Sequence, residues 1–342
     1  MEVNRAELLN TLNKVKPGLA TKEIVEEMTH FLFTGTDVIS YNDRVCVHHP
    51  YETDFKGSVQ SSKILETLNK YKTEMVDIVI EKETEDSFMI IKSGKSRVVC
   101  AFVEDHKIFE KAESLTTEIG SIDDWLEVPE HFIYGAYLSS FSAGKDASSG
   151  TATCIRVEGN LIWCGDQERS SRYELEEEME DFMIKAALVA TIQDYNFTYY
   201  YVTKSWVHFI DDDNVTLSAR RITGKTLPYD KLFGKFEGTD IDVPEGLKGS
   251  IDIASIMSSG DSESDKSVSI TIEANVLTCE GRNNTGFSSS ECEIEWEGDR
   301  IEFHINPVLL LEVMTKASKI SVGENASMFH NNQFMHLLAY KV

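Results

Sequence analysis

Three clusters in this chain have residue types that could do chemistry: Asp211-Asp212-Asp213-Asn214, His48-His49 and Arg220-Arg221. A carboxylate run can hold a divalent cation only if about six or more oxygens converge on one point. This run stands between two strand patterns, where a hairpin turn explains Asp and Asn more simply. The histidine pair has no third ligand at a spacing that closes a metal site. The arginine pair could clamp a phosphate, but at a strand end such pairs are usually surface. The six cysteines (46, 100, 154, 164, 279 and 292) form no Cys-x-x-Cys pair and no Cys/His cluster, so they read as buried free thiols. The sequence has no phosphate-binding glycine loop, no Gly-x-Ser-x-Gly and no His-Glu-x-x-His. No nucleophile, base and orienting group assemble. The expectation is a protein that is not an enzyme and uses no cofactor and no metal.

Charge carries more information. The chain has 33 Lys and Arg against 58 Asp and Glu, a net charge of −25. On average such a surface repels nucleic acid and acidic membranes. Contact with DNA therefore requires the positive charge to be concentrated. The helix pattern from Ser61 to Lys72 carries Lys63, Lys70 and Lys72 against one acid, Glu66. The first helix and its exit carry Arg5, Lys14 and Lys16 against Glu7, and the last helix carries Lys316 and Lys319 against Glu312. In the middle of the chain Lys185 is nearly alone on a helix pattern that begins with Glu178, Glu180 and Asp181. One such helix is an ordinary solvated face. Recurrence at matching repeat positions points instead to a lining that attracts phosphates without reading bases.

The elements that would position these lysines repeat. Ile301 to Ile305 alternates as a strand, Asn306 and Pro307 start a helix running from Val308 to Ile320, and strands Ile320 to Val322 and Phe334 to Val342 follow. The same strand-helix-strand-strand unit reads from Phe55 through the helix after Ser61 to strands Val76 to Lys82 and Ser87 to Glu104. It reads again from Tyr173 to Asp181, a helix Phe182 to Thr191, and strands Thr198 to Ile210 and Val215 to Ile222. Three further helices near 5–15, 129–141 and 245–258 follow the similar segments Met1-Glu2-Val3-Asn4-Arg5, Leu126-Glu127-Val128-Pro129-Glu130 and Ile241-Asp242-Val243-Pro244-Glu245. Six units in three pairs predict an α+β protein of three related domains, 1–124, 125–235 and 236–342, with mostly antiparallel sheets. Ser114 to Asp124 and Gly224 to Thr239 read as linkers, and Ser258 to Ser267 has the composition of a mobile loop. No apolar run is long enough to span a bilayer and the N-terminus has no signal pattern, which predicts the cytoplasm.

This threefold duplication resembles the bacterial sliding clamp, the beta subunit of DNA polymerase III. The likeness covers the whole chain. Its carriers are Ile91-Lys92-Ser93-Gly94-Lys95-Ser96-Arg97, Ile122-Asp123-Asp124-Trp125, Leu227-Pro228-Tyr229-Asp230 and the Phe303 to Val342 ending. The chain is shorter than a typical bacterial member, which suggests a phage version. The resemblance implies a homodimeric ring with helices inside and antiparallel sheets outside, closed around duplex DNA. It implies a DNA polymerase and a clamp loader as partners. The DNA-facing candidates are then Arg5, Lys14, Lys16, Lys22, Lys63, Lys70, Lys72, Lys145, Lys185, Lys248, Lys316 and Lys319, with Lys22 and Lys145 on loops near the hole. Positions matching the family's dimer joint are Val98 and Cys100 against Ile256 and Met257. Those matching its partner-peptide pocket are Thr151, Trp163, Gly165, Asp166, Arg169, Pro228, Leu232 and Val342. Here the family's Thr-Asp-Gly-His-Arg strand end is Gly165-Asp166-Gln167-Glu168-Arg169 and its Met-Pro tail is absent, which implies a reshaped pocket. The competing class is an acidic interaction protein, such as a DNA mimic, that never encircles DNA.

Overall fold

A computed structural model describes residues 1–21, 28–104, 107–260, 262–263 and 265–341. The chain opens with strand β1 (Glu2–Asn4) and helix α1 (Arg5–Val15). The Asn4 side chain accepts from the backbone N–H groups of Ala6 and Glu7, satisfying donors that a helix start leaves open. Strands β2 (His30–Phe33), β3 (Asp37–Tyr41), β4 (Val45–Pro50) and β5 (Gly57–Gln60) lead to helix α2 (Ser61–Lys70). After β6 (Met75–Glu83), the hairpin of β7 (Asp86–Ser93) and β8 (Ser96–Val103) turns at Gly94, whose φ of 57° lies where a Cβ would be strained. Then come α3 (Lys107–Gly120), β9 (Leu126–Glu127) and α4 (Phe132–Ser140). A long hairpin, β10 (Cys154–Gly165) and β11 (Arg169–Lys185), precedes the short α5 (Leu188–Gln193) and strands β12 (Tyr199–Val202), β13 (Trp206–Ile210) and β14 (Thr216–Arg220). The chain continues through α6 (Tyr229–Gly234), β15 (Gly238–Asp242), α7 (Leu247–Ser255), β16 (Val268–Glu273), β17 (Val276–Asn283) and β18 (Gly286–Glu293). It ends with β19 (Ile301–Ile305), α8 (Pro307–Met314), β20 (Lys319–Gly323), β21 (Ala326–His330) and β22 (Phe334–Ala339).

The chain divides into two compact units, and every strand pairing among the described residues is antiparallel. The first unit, Met1–Val128 with Thr191–Arg221, holds one sheet in the order β1-β6-β7-β8-β5-β2-β3-β4-β14-β13-β12-β9. Strand residues alternate between faces, and here both faces are covered. On one face the Ser40 hydroxyl donates to the Val15 carbonyl of α1. On the other, Ile39, Tyr41, Cys46 and Trp206 pack with Ile108, Phe109, Ala112, Leu115 and Ile119 of α3. The second unit, Pro129–Ala190 with Ile222–Val342, holds a sheet ordered β10-β11-β22-β21-β20-β15 and a smaller one ordered β18-β17-β16-β19. Helix α4 packs on β10 and β11, and α7 packs on β17, β18 and α8.

The α+β class with antiparallel sheets is as expected, and the three similar segments are the short strands β1, β9 and β15, leading into α1, α4 and α7. Four local expectations are corrected. The helix expected over 182–191 starts only at Leu188, as the short α5: β11 continues to Lys185 because Phe182, Met183 and Ile184 pair with Val157, Arg156 and Ile155. Ser114 to Asp124 is not simply a linker, since α3 occupies it as far as Gly120 with apolar residues at helical spacing facing the sheet. The linker expected at 224–239 contains α6. The last helix stops at Met314, so Lys316 stands beyond it and Lys319 opens β20. In the expected loop, Ser259 and Ser267 bridge one another.

Candidate nucleic-acid interface

In the first unit α1 packs against α2. The pairing is made by Arg5. Its Nε donates to the Thr73 carbonyl at 3.0 Å and its Nη1 to the Leu68 carbonyl at 3.1 Å. These oxygens lie at the end of α2, where carbonyls lack helical partners. Arg5 is therefore a clasp between the helices more than a free cation. Lys14 lies 3.4 Å from Asp213, and Lys70 is paired with Glu66 one turn back at 2.5 Å. Lys16, Lys63 and Lys72 are exposed, with no ion pair among the described residues. They are the cations this surface offers most freely. Lys22 falls outside the described residues.

The remaining candidates lie in the second unit and are not gathered in the same way. Lys145 is exposed between α4 and β10, Lys248 is exposed on α7, and Lys319 is exposed on β20. Lys316 is half-buried, 5.0 Å from the centre of the Phe141 ring, and donates to the Glu312 carbonyl. Lys185 ends β11 and donates to the Gly150 carbonyl and the Thr153 hydroxyl. It is bound into the hairpin base, not displayed on a helix.

The residues matched to a peptide pocket come together at one end of the β10–β11 hairpin. Trp163 is buried and lies parallel to Tyr229 of α6, with ring centroids 5.4 Å apart, and Phe233 lies 5.6 Å away. Arg172 stands over both Trp163 and Phe233. Thr151 donates to the Lys225 carbonyl at 2.6 Å, which ties the segment before α6 to the start of β10. Gly165 lies so close to Ser170 that a Cβ would stand 2.4 Å from its hydroxyl. Asp166 accepts from the backbone N–H groups of Glu168 and Arg169, closing the hairpin turn. Arg169 is only 5% exposed and donates to Glu312 at 2.7 Å, with Asp166 at 3.8 Å. Pro228 and Leu232 are exposed, and Val342 is outside the described residues. Trp163 itself is covered, which its sequence could not tell. Beside Arg169, His336 is fully buried, its Nδ1 shared by Ser142 and Ser171; burial, then Arg169 and Lys316, holds it well below the usual imidazole range.

The residues matched to a dimer joint lie at two open sheet edges. Strand β8 meets β5 only at Val103 and Phe102, so Ser96 to Ala101 have β7 as their one strand partner among the described residues. Beside that edge a cleft of about 600 Å³ is lined by Val98, Val99, Cys100 and Ala101 and by Lys63, Glu66, Thr67 and Lys70 of α2, so Lys63 borders this edge as well as the α1–α2 face. In the second unit β18 pairs with β17 alone among the described residues. Ile256, just past α7, is 69% exposed, and Phe287 on β18 is 66% exposed; Met257 is half-buried. Phe287 and Ile253, also exposed, were missed by sequence reasoning, although Ile253 stands one turn before Ile256.

The clusters set aside at the start are structural. Asp211 accepts from the N–H groups of Asp213 and Val215, and Asn214 has φ of 60°, a hairpin turn between β13 and β14. His48 meets Asp37 at 2.8 Å and His49 its neighbour Pro50. Arg220 lies 4.3 Å over Trp206 and Arg221 donates to Thr203. Among the described residues no three His, Cys, Asp or Glu side chains are placed to hold a metal. None of their helices is long and apolar enough to cross a membrane.

No protein-family model matches the chain, and no curated protein matches it by sequence. Solved structures do match in fold. A Caulobacter crescentus beta sliding clamp superposes with a TM-score of 0.85 at 14% identity, covering 100% of this chain and 98% of that one. The DNA polymerase III beta chain of Streptococcus pneumoniae gives 0.81 at 16% identity, covering 100% and 99%. The DNA polymerase sliding clamp of Bacillus subtilis gives 0.80 at 14%, covering 100% and 98%. The chain has the sliding-clamp fold over its whole length.

Proposed function

We propose that this protein is a DNA sliding clamp, a ring of two chains closed head to tail that encircles duplex DNA and tethers a DNA polymerase. The observation that carries the reading is the fold match, which extends from one end of the chain to the other at TM-scores from 0.79 to 0.85. The charge pattern supports it. In a chain of net charge −25, Lys16, Lys63 and Lys72 are exposed on or beside the α1–α2 pair, where they can meet phosphates. Such contacts are weak and screened, so they let a ring slide where base readout would hold it in place. The grip is topological, and tethering raises the polymerase's effective concentration at the primer end. The role is binding, not catalysis, in the cytoplasm.

In this reading the chain forms three domains, 1–124, 125–235 and 236–342, with their helices toward the DNA. Ring closure joins the open edge of β8 and its cleft, with Val98 and Cys100, to the partner copy's β18 edge, with Ile256 and Met257. Each edge covers the other's unpaired backbone groups. The clamp loader and polymerase would use the site around Thr151, Trp163, Gly165, Asp166, Arg169, Pro228, Leu232 and Val342. A peptide reaching Trp163 there must displace Tyr229 and Phe233; Pro228 and Leu232 are already exposed.

The test is native mass spectrometry at micromolar concentration, followed by loading onto nicked circular DNA. A dimer retained on circles and lost when they are cut supports the reading. A monomer, or equal retention on circular and linear DNA, overturns it in favour of an acidic binding protein.

A further inference from the structure

The middle third was expected to bring Lys185 to the DNA, but that lysine is tied to Gly150 and Thr153. What α4 presents instead is aromatic. Residues Phe132–Ser140 include no charged side chain, and Tyr134 and Tyr137, one turn apart, are 54% and 46% exposed. A single exposed ring needs no explanation. These two share a helix face and are supported from behind. Tyr134 meets Tyr173 edge-on, with centroids 6.1 Å apart, and the Tyr173 hydroxyl donates to Gln333 at 2.9 Å. Gly135 permits that approach, since a Cβ there would stand 2.3 Å from the Tyr173 ring.

Helix α4 follows β9 as α1 follows β1, and each helix packs on the strands after it, α4 on β10 and β11, α1 on β3 and β4. The repeat therefore gives the outer face of α4 the place that α1 fills with Asn10, Asn13 and Lys14. We infer that Tyr134 and Tyr137, on the second unit's counterpart of α1, contact the sugar-phosphate backbone of duplex DNA. This assignment rests on the sliding-clamp reading. A phenol hydroxyl donates to a phosphate oxygen and the ring lies against sugar, contacts that position the duplex without reading it. Neither releases a counterion, so the pair adds affinity without adding salt dependence.

That distinction is the test. The full-length protein is titrated with a short fluorescein-labelled duplex over a range of KCl concentrations. Removing both hydroxyls in Y134F/Y137F weakens binding roughly tenfold or more, and Y134A/Y137A weakens it further, with the slope of log affinity against log salt unchanged. The control K63Q/K72Q lowers that slope by about 0.9 per lysine. Tyrosine variants that bind the duplex like wild type overturn the assignment, as does a change in their salt slope. If those variants lose a polymerase peptide instead, α4 is a protein-docking face and the inference is wrong. Wild-type protein that shows no affinity for the duplex also overturns the assignment, whereas the clamp reading itself falls only with a monomer or with loss of retention on nicked circles.

Discussion

The helix pair α1–α2 and the helices α4, α7 and α8 arise from one repeated unit yet present different chemistry. The first pair carries lysines, clasped by Arg5 across the end of α2. Helix α4 carries none and shows tyrosines, while α8 is mostly apolar and its neighbouring Lys316 lies against Phe141. Duplication conserves where a helix packs, because its buried stripe must match the sheet beneath it. It leaves the outward residues free to diverge. Charge therefore need not follow the symmetry of the fold.

The contrast can be broken most decisively by charge reversal. Lys63→Glu with Lys72→Glu should abolish clamp-dependent synthesis while the thermal unfolding curve stays in place, and a primer-extension assay reads this. Survival of synthesis would remove the α1–α2 face from consideration. Next in size, Leu12→Ala in α1, where Leu12 is fully buried, should cost about 2–5 kcal/mol in urea unfolding.

Acid should then weaken both units. Burial lowers His208 in the first unit to about 4, and His336 in the second is also depressed. Both are neutral when folded, and the unfolded imidazole titrates near 6.5. Their contribution is thus complete above pH 6.5 and lost as pH falls from there toward 4, roughly 3 kcal/mol for His208. His208→Gln should flatten that part of a stability–pH curve; an unchanged slope would exclude His208 as its cause. Arg5→Ala should cost about 1–2 kcal/mol through the lost carbonyl contacts, seen as a small drop in melting temperature. The smallest effect is expected in the second unit. Lys316→Glu with Lys319→Glu should reduce DNA affinity far less than the first-unit pair, and equal losses would erase the contrast.

Local rules made much of this fold legible. Asn4 and the Asn306-Pro307 step start helices as their side chains dictate, and the Asp211 turn is what Asp and Asn do between strands. What escaped was decided by distant partners. Phe182 to Ile184 suit either state until β10 pairs with them. Helix α3 has its apolar spacing in plain view at Ile108, Ala112, Leu115 and Ile119, although Ser114 to Asp124 also has the composition of a linker. For the candidate site, sequence located the lysines but not their engagements. Arg5 looks the same as a phosphate contact or a helix clasp until Leu68 and Thr73 are seen beside it. Trp163 looks equally available whether or not Tyr229 lies on it.

In the proposed ring the two strand margins that join, at β8 and at β18, are unlike each other, so a single joint between two copies leaves one of each kind unused. Such an assembly has only two outcomes. Either its curvature brings the spare ends together after two copies, or it adds subunits without limit into a fibre. The angle at that joint, more than its strength, would therefore decide between a soluble particle and a filament.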